Sequence, residues 1–210
     1  MIREYDVPAA PAMEEITEKK SRFIAHIARV SSEEEAADFI RKKKKEYWDA
    51  RHNCSAFVIG PGHELTRCSD DGEPSGTAGR PMLDILLRSG LHDTAAVVTR
   101  YFGGVLLGTG GLVRAYSSVL QKAADTVPRL RVRYGRSAAI RVSYQDYGKI
   151  GNLLCRMGLE ADGIDYGELV TLHLMVPEDV CSRFEKEITE GTNGKAQMEF
   201  ADPQWYERQI

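Results

Sequence analysis

The chain has 210 residues, enough for two modest domains, and is 42% hydrophobic and 28% charged, the balance of a soluble globular protein. Its formal net charge of −3 argues against binding nucleic acid through bulk charge, and no apolar run approaches the ~20 residues that span a bilayer. The four cysteines, Cys54, Cys68, Cys155 and Cys181, are dispersed with no C-x-x-C pair, which argues against a zinc knuckle and a dithiol redox motif.

The opening "MIREYDVPAAPAMEEITEKK" is charged and lacks the apolar stretch of a secretory signal, so a cytoplasmic location with reduced thiols is expected. "SRFIAHIARV" alternates polar and apolar residues and reads as a strand. "SSEEEAADFIRKKKKEYW" reads as a helix: Ser32 and Glu35 have capping-box spacing, and Ala36, Phe39, Ile40 and Tyr47 form its apolar stripe. The run Lys42 to Lys45 reads first as a solvated helix end, with phosphate binding as the alternative. "CSAFVIG" and "HELTRCS" read as strands around a turn at Pro61-Gly62. "DDGEPSGTAGRPML" is too rich in Gly, Pro and Ser for regular structure, and "PMLDILLRS" is a helix stopped by Gly90. "TAAVVTRYF" reads as a buried strand, and Leu112, Val113, Tyr116, Val119, Leu120 and Ala123 keep helical spacing.

From Arg131 onward the order is strand, helix, strand, strand, helix, strand, the split βαβ pattern of ferredoxin-like domains. Pro177 is expected at the start of its second helix, and "GKAQMEFAD" as its last strand. The expected domains are residues 1–130 and 136–210. Charge divides with them: residues 1–135 balance to +2 and residues 136–210 to −5, so the second domain alone is not expected to bind nucleic acid.

"RYFGGVLLGTGGLVRAY" holds five glycines and two arginines between a buried strand and a helix. Free N–H groups at a helix start suit an anion. The nucleotide fingerprints fail, however: Gly108 is followed by Thr109-Gly110 where a Walker loop needs Lys-Ser/Thr, and Val113 stands where a dinucleotide fingerprint needs a small residue. Leu106, Leu107 and Leu112 are expected to point inward, and Arg100, following a buried strand, to pair with Asp70, Asp71 or Glu73. Those three carboxylates, expected on the glycine-loop face, suit turn capping better than a hard cation. His52 and Cys54 share one face of a strand and read as packed residues rather than a catalytic pair, and Ser55, Ser69 and Ser75 lack a nucleophile-elbow context.

Three blocks, "DARHNCSAFVIG", "SDDGEPSGTAGRPML" and "VVTRYFGGVLLGTGGLVRAY", together with "SRFIAHIARVSSEEEA", strongly resemble the signature of the YigZ/IMPACT family in its two-domain bacterial branch. The resemblance covers roughly residues 15–125. It implies an α/β (α+β) protein: a first domain similar to the second domain of ribosomal protein S five, and a ferredoxin-like second domain similar to the fifth domain of elongation factor G. The eukaryotic relatives inhibit the kinase that answers amino-acid starvation.

The expected function is therefore a non-enzymatic binding module linked to translation, contacting RNA, the ribosome or a ribosome-associated protein. Its site would be Arg100, Tyr101, Phe102, Gly103, Gly104, Gly108, Gly110, Gly111, Arg114 and Tyr116, supported by Asp70, Asp71, Gly72, Glu73 and Arg80. No cofactor or metal is expected. The alternatives are an enzyme on a phosphorylated or peptide substrate and a protein–protein regulator that touches no nucleic acid.

Overall fold

The computed structural model describes residues 4–209. Strands β1 (Glu4–Pro8) and β2 (Ala12–Glu18) lie in the opening segment, to which the sequence reading gave no element. β2 forms a hairpin with β3 (Ser21–Arg29) through Lys19 and Lys20, whose φ values of 46° and 64° make the left-handed pair of a type I′ turn. The alternation in β2 is masked because a carboxylate occupies its inward side. Ala12 and Ile16 pack on the core, and Glu14 between them meets Lys122 at 2.6 Å.

Helix α1 (Glu33–Glu46) is capped by the Ser32 side chain, and Glu35 reaches back to the Ser31 N–H at 2.7 Å, one residue earlier than the capping box implies. The chain continues through β4 (His52–Ile59), β5 (Leu65–Ser69), α2 (Gly79–Ser89), β6 (Thr94–Tyr101) and α3 (Thr109–Thr126). The strands form an antiparallel sheet in the order β2-β3-β6-β4-β5. Helices α2 and α3 cover one face and α1 the other. Strand β6 is central and covered on both faces, which explains its unbroken apolar run. The larger core joins Phe23, Ile27 and Val98 of the sheet to Met82, Leu86 and Leu120 of the helices, and a smaller one joins Ala36 to Val30, Phe57 and Ala95.

His26 faces α1 and is 5% exposed, with Nε2 3.1 Å from the Tyr47 hydroxyl. Burial, reinforced by Lys43, pushes its pKa down to about 4. The unfolded chain takes up this proton near pH 6.5, the folded chain only near 4. The contribution to stability is thus complete above pH 6.5 and lost as pH falls towards 4. Urea midpoints should decline over that window, and His26→Gln should remove on the order of 2 kcal/mol of the decline.

A second compact unit begins at Val132. It contains most of β7 (Arg129–Val142), then α4 (Tyr144–Arg156), β8 (Gly163–Tyr166), β9 (Val170–Pro177), α5 (Cys181–Gly191), β10 (Gln197–Phe200) and β11 (Gln204–Gln209). The antiparallel order β10-β7-β9-β8 is ferredoxin-like, and Ile140 and Leu172 of the sheet pack on Ile150, Phe184 and Ile188 of the helices. Two details correct the sequence reading. Pro177 ends β9 rather than starting a helix, because the next residue, Glu178, donates its N–H to the Tyr134 carbonyl at 3.0 Å and α5 begins only at Cys181. Strand β11 also joins β7, after the segment expected to be last.

Candidate functional site

Strand register builds the floor of the site. Arg100 of β6 lies opposite Phe23 of β3 and His52 of β4, so the three side chains form a row on the face covered by α2 and α3. Arg100 is 6% exposed and its Nη1 meets Glu73 Oε1 at 2.6 Å. The same oxygen accepts from the Tyr116 hydroxyl at 2.8 Å. The Cys54 thiol donates to the Asp70 carbonyl at 2.9 Å and lies 3.4 Å from the Tyr116 oxygen. The guanidinium lies 5.4 Å from the Phe23 ring centroid and 5.5 Å from that of Phe102. His52 completes the floor, with Nδ1 2.8 Å from the Asp71 carbonyl and Nε2 3.9 Å from Glu73.

Burial pushes the Cys54 thiol up to about 12 and raises the Tyr116 hydroxyl well above its ordinary value. Neither is an acid or nucleophile at neutral pH. Tyr116 is fully buried and packs in the core, which corrects its expected place on the binding face.

The acidic segment divides into three tasks, while Gly72, Glu73 and Pro74 line one cavity with Leu106, Leu107, Gly108 and Thr109 of the glycine loop. Asp70 accepts from the N–H groups of Gly76, Ala78 and Gly79 at 2.9, 3.0 and 2.8 Å, capping α2 from a distance because its own cap residue, Ala78, has no side-chain acceptor. Burial opposes ionisation there, yet these bonds hold the Asp70 carboxyl below its ordinary range. Asp71 takes the Asn53 N–H at 2.7 Å and Lys44 of the basic run at 2.5 Å. Only Glu73 turns to Arg100, with Gly72 packed over the His52 ring. Arg80 pairs along its own helix with Asp84 at 2.9 Å.

The glycine segment also separates. Gly103 is pressed against the Lys20 and Ser21 backbone, leaving no room for a Cβ, and its N–H donates to Ser21 Oγ at 3.2 Å. Gly104 and Gly108 have φ of 82° and 73°, while Gly110 and Gly111 lie inside the first turn of α3. Leu107 and Leu112 are buried, but Leu106 is 82% exposed, which overturns its expected place in the core. Neighbouring side chains of the irregular loop point to opposite sides, and Leu107 takes the inward one. Tyr101 turns from Arg100 to the other side of the sheet, donating to Asp49 at 2.8 Å.

A cavity of about 420 Å³ opens over the row, lined by Arg51, His52, Glu73, Arg100, Phe102 and Thr109 among others. Arg114 is absent from it. Arg114 lines a separate cavity of about 550 Å³ with Lys19, Ser117, Ser118 and Gln121, and Leu107 is common to both. The pairing of Arg100 and Arg114 on one site is therefore corrected: five residues along α3 from Thr109, at 3.6 residues per turn, leave Arg114 about 140° round the helix from it. The N-terminus of α3 has no side-chain cap and no acidic residue in its first turn. Its first internal bond is from Leu112 N–H to the Gly108 carbonyl at 3.0 Å, and the N–H groups of Thr109, Gly110 and Gly111 have no partner among the described residues. Arg51 and Thr109 were missed as lining residues. Arg51 had only its place beside His52 as a signal, and Thr109 only its place ahead of two glycines.

No group of three or more His, Cys, Asp or Glu side chains is placed to hold a metal ion among the described residues, and no described helix is long and apolar enough to cross a membrane. The two folded units define a two-domain α+β protein whose candidate site lies wholly in the first unit. Residues 19–124 match the model of the Impact N-terminal domain, and residues 140–195 match a domain of unknown function (DUF1949). The chain belongs to the IMPACT family. It is 41% identical to the IMPACT family member YvyE of Bacillus subtilis, over 100% of this chain and 97% of that protein. It is 37% identical to the IMPACT family member YigZ of Escherichia coli, over 91% and 95%. The IMPACT homolog of Dictyostelium discoideum shares 38% identity over 49% of this chain and 30% of its own length. A crystal structure described as a hypothetical protein is 35% identical, with a TM-score of 0.63 over 94% of this chain and 97% of that one.

Proposed function

We propose that the protein is a cytoplasmic, non-enzymatic binding module linked to translation, of the two-domain YigZ branch, that contacts RNA phosphates through the glycine-rich face of its first unit. The observation that carries this is the uncapped start of α3 opening beside Arg51, His52 and Arg100. Phe102, 40% exposed, offers a ring beside those donors. The likeness to a ribosomal-protein domain and to the fifth domain of elongation factor G that the family resemblance implies favours the link to translation as analogy of fold. The Cys54 thiol is fully buried and held protonated, so it supplies no nucleophile for an enzymatic role.

Electrophoretic shifts with single-stranded RNA at low ionic strength test the proposal. The intact chain should bind, and Arg51→Ala should weaken binding across sequences and reduce the salt slope by about 1. Failure of the intact chain to bind at low salt would refute it. A second reading, a protein–protein regulator, draws on Leu106 and Val105, which are 82% and 41% exposed on the same loop. A partner retained after RNase treatment and lost with Leu106→Asp would favour it.

A further inference from the structure

We infer that the 420 Å³ cavity receives a nucleotide bearing a free phosphomonoester, with the phosphate on the N-terminus of α3 and the base against Phe102. This rests on the reading of the glycine-rich face as a nucleic-acid contact and narrows it from strand to terminal unit. The shared chemistry has two sources, the end of an RNA strand or a mononucleotide.

Three independent observations converge. The first is the row of unpartnered N–H groups at Thr109, Gly110 and Gly111, at the start of a helix of 18 residues, of which Thr109 lines this cavity and Gly111 the one beside Arg114. The second is Arg100, whose Nε is the single buried side-chain polar atom without a hydrogen-bond partner among the described residues. Arg100 lines the cavity, its Nη1 is committed to Glu73, and the ring covering it is the half-exposed Phe102. A buried donor left without an acceptor is costly; Nε is closed off from the cavity as it stands, so an acceptor removes that cost by displacing the Phe102 ring that covers the guanidinium.

The third observation is Gly110 itself. Gly103 is demanded by the close Lys20 backbone and Gly108 by its positive φ. Gly110 is subject to neither demand: its φ lies outside the left-handed range, and a Cβ there would meet nothing within 4 Å. Glycine is a poor helix residue, so the fold alone would favour alanine. A Cβ near the start of a helix tilts back towards the N-terminus, into the space an anion would occupy. Gly110 therefore leaves the approach to these N–H groups free of any side chain.

Size and charge select the ligand. A cavity of about 420 Å³ is near the lower end of ligand pockets, with room for one monomer rather than a strand passing in and out. A monoester brings three free oxygens and nearly two charges to donors on several sides, where an internal diester brings two oxygens and one charge. Arg100 neutralises Glu73, leaving Arg51 as the excess positive charge in the lining.

The test uses the full chain and one short RNA prepared with a 5′-phosphate, with a 3′-phosphate, with hydroxyls at both ends, and as a closed circle, alongside adenosine 5′-monophosphate. At least one phosphorylated linear form should bind about tenfold tighter than the hydroxyl-ended and circular forms. Gly110→Ala should abolish that preference while the thermal midpoint holds or rises. Equal binding of all RNA forms, or a preference that survives Gly110→Ala, overturns the inference and leaves the RNA reading standing. Binding of adenosine 5′-monophosphate that depends on Gly110, with no RNA bound, supports the cavity assignment with a mononucleotide as ligand and overturns the RNA reading. Binding of neither overturns both.

Discussion

Glu73→Ala is expected to lower the free energy of unfolding by about 3–5 kcal/mol. The substitution removes a single oxygen that satisfies two buried donors, Arg100 Nη1 at 2.6 Å and the Tyr116 hydroxyl at 2.8 Å. The arginine would be left charged in a site where its residue is 6% exposed, with Phe23 and the sheet beneath it. Such a charge costs far more unpaired than the pair contributes when intact, so the effect comes mostly from what remains. Glu73→Gln keeps an acceptor and loses the charge, and its effect should fall between wild type and alanine. Arg100→Ala should also destabilise, and a double-mutant cycle with Glu73→Ala should show strong coupling. Arg114, exposed and on another cavity, is the control: Arg114→Ala should change stability by no more than about 0.5 kcal/mol. Equal urea midpoints for Glu73→Ala and Arg114→Ala would contradict this division.

Gly103→Ala should cost about 3 kcal/mol, the upper end of overpacking effects. Its Cβ would fall inside the van der Waals envelope of the Lys20 carbonyl and the Ser21 nitrogen, which are backbone atoms that cannot swing aside. Relief would require the β2–β3 hairpin to move, and Lys19 and Lys20 already occupy left-handed conformations in its turn. Gly104, the next residue, provides the contrast. Its φ is 82° but nothing lies within 4 Å of a Cβ, so Gly104→Ala should cost only about 1 kcal/mol of backbone strain. Denaturation curves for the two variants measure the difference, and a larger loss for Gly104→Ala would show that the close approach does not matter.

Much of the fold was legible where one periodicity ruled. Strand β6 reads as buried because both its faces are covered, and the split βαβ order of the second unit survives in its helix and turn signals. β2 was lost because Glu14 interrupts its inward face, a choice explained by Lys122 on a helix more than 100 residues away in sequence. The site was legible as a neighbourhood and not as an arrangement. Sequence supplied the need of Arg100 for a carboxylate, but singling out Glu73 requires knowing that the α2 N–H groups already hold Asp70 and that Asn53 and Lys44 hold Asp71. Leu106 and Leu107 are chemically alike, so nothing local says which turns inward. Arg100 and Arg114 are close in sequence, yet the helical turn that separates their cavities acts only once α3 is packed on the sheet.

The shared oxygen of Glu73 also bears on how such chains can change over generations. It ties Arg100 on β6 to Tyr116 on α3, and Tyr116 in turn touches Cys54 on β4, so all three distinctive sequence blocks meet at one buried point. Losing Glu73 strands Arg100 and Tyr116 together, so a tolerable exchange at that position must alter more than one residue. An exposed loop residue can be exchanged singly, but an exchange at Glu73 reaches into the other two blocks. A chimaera that takes one block from an unrelated sheet protein should therefore fail to fold unless the other two come with it.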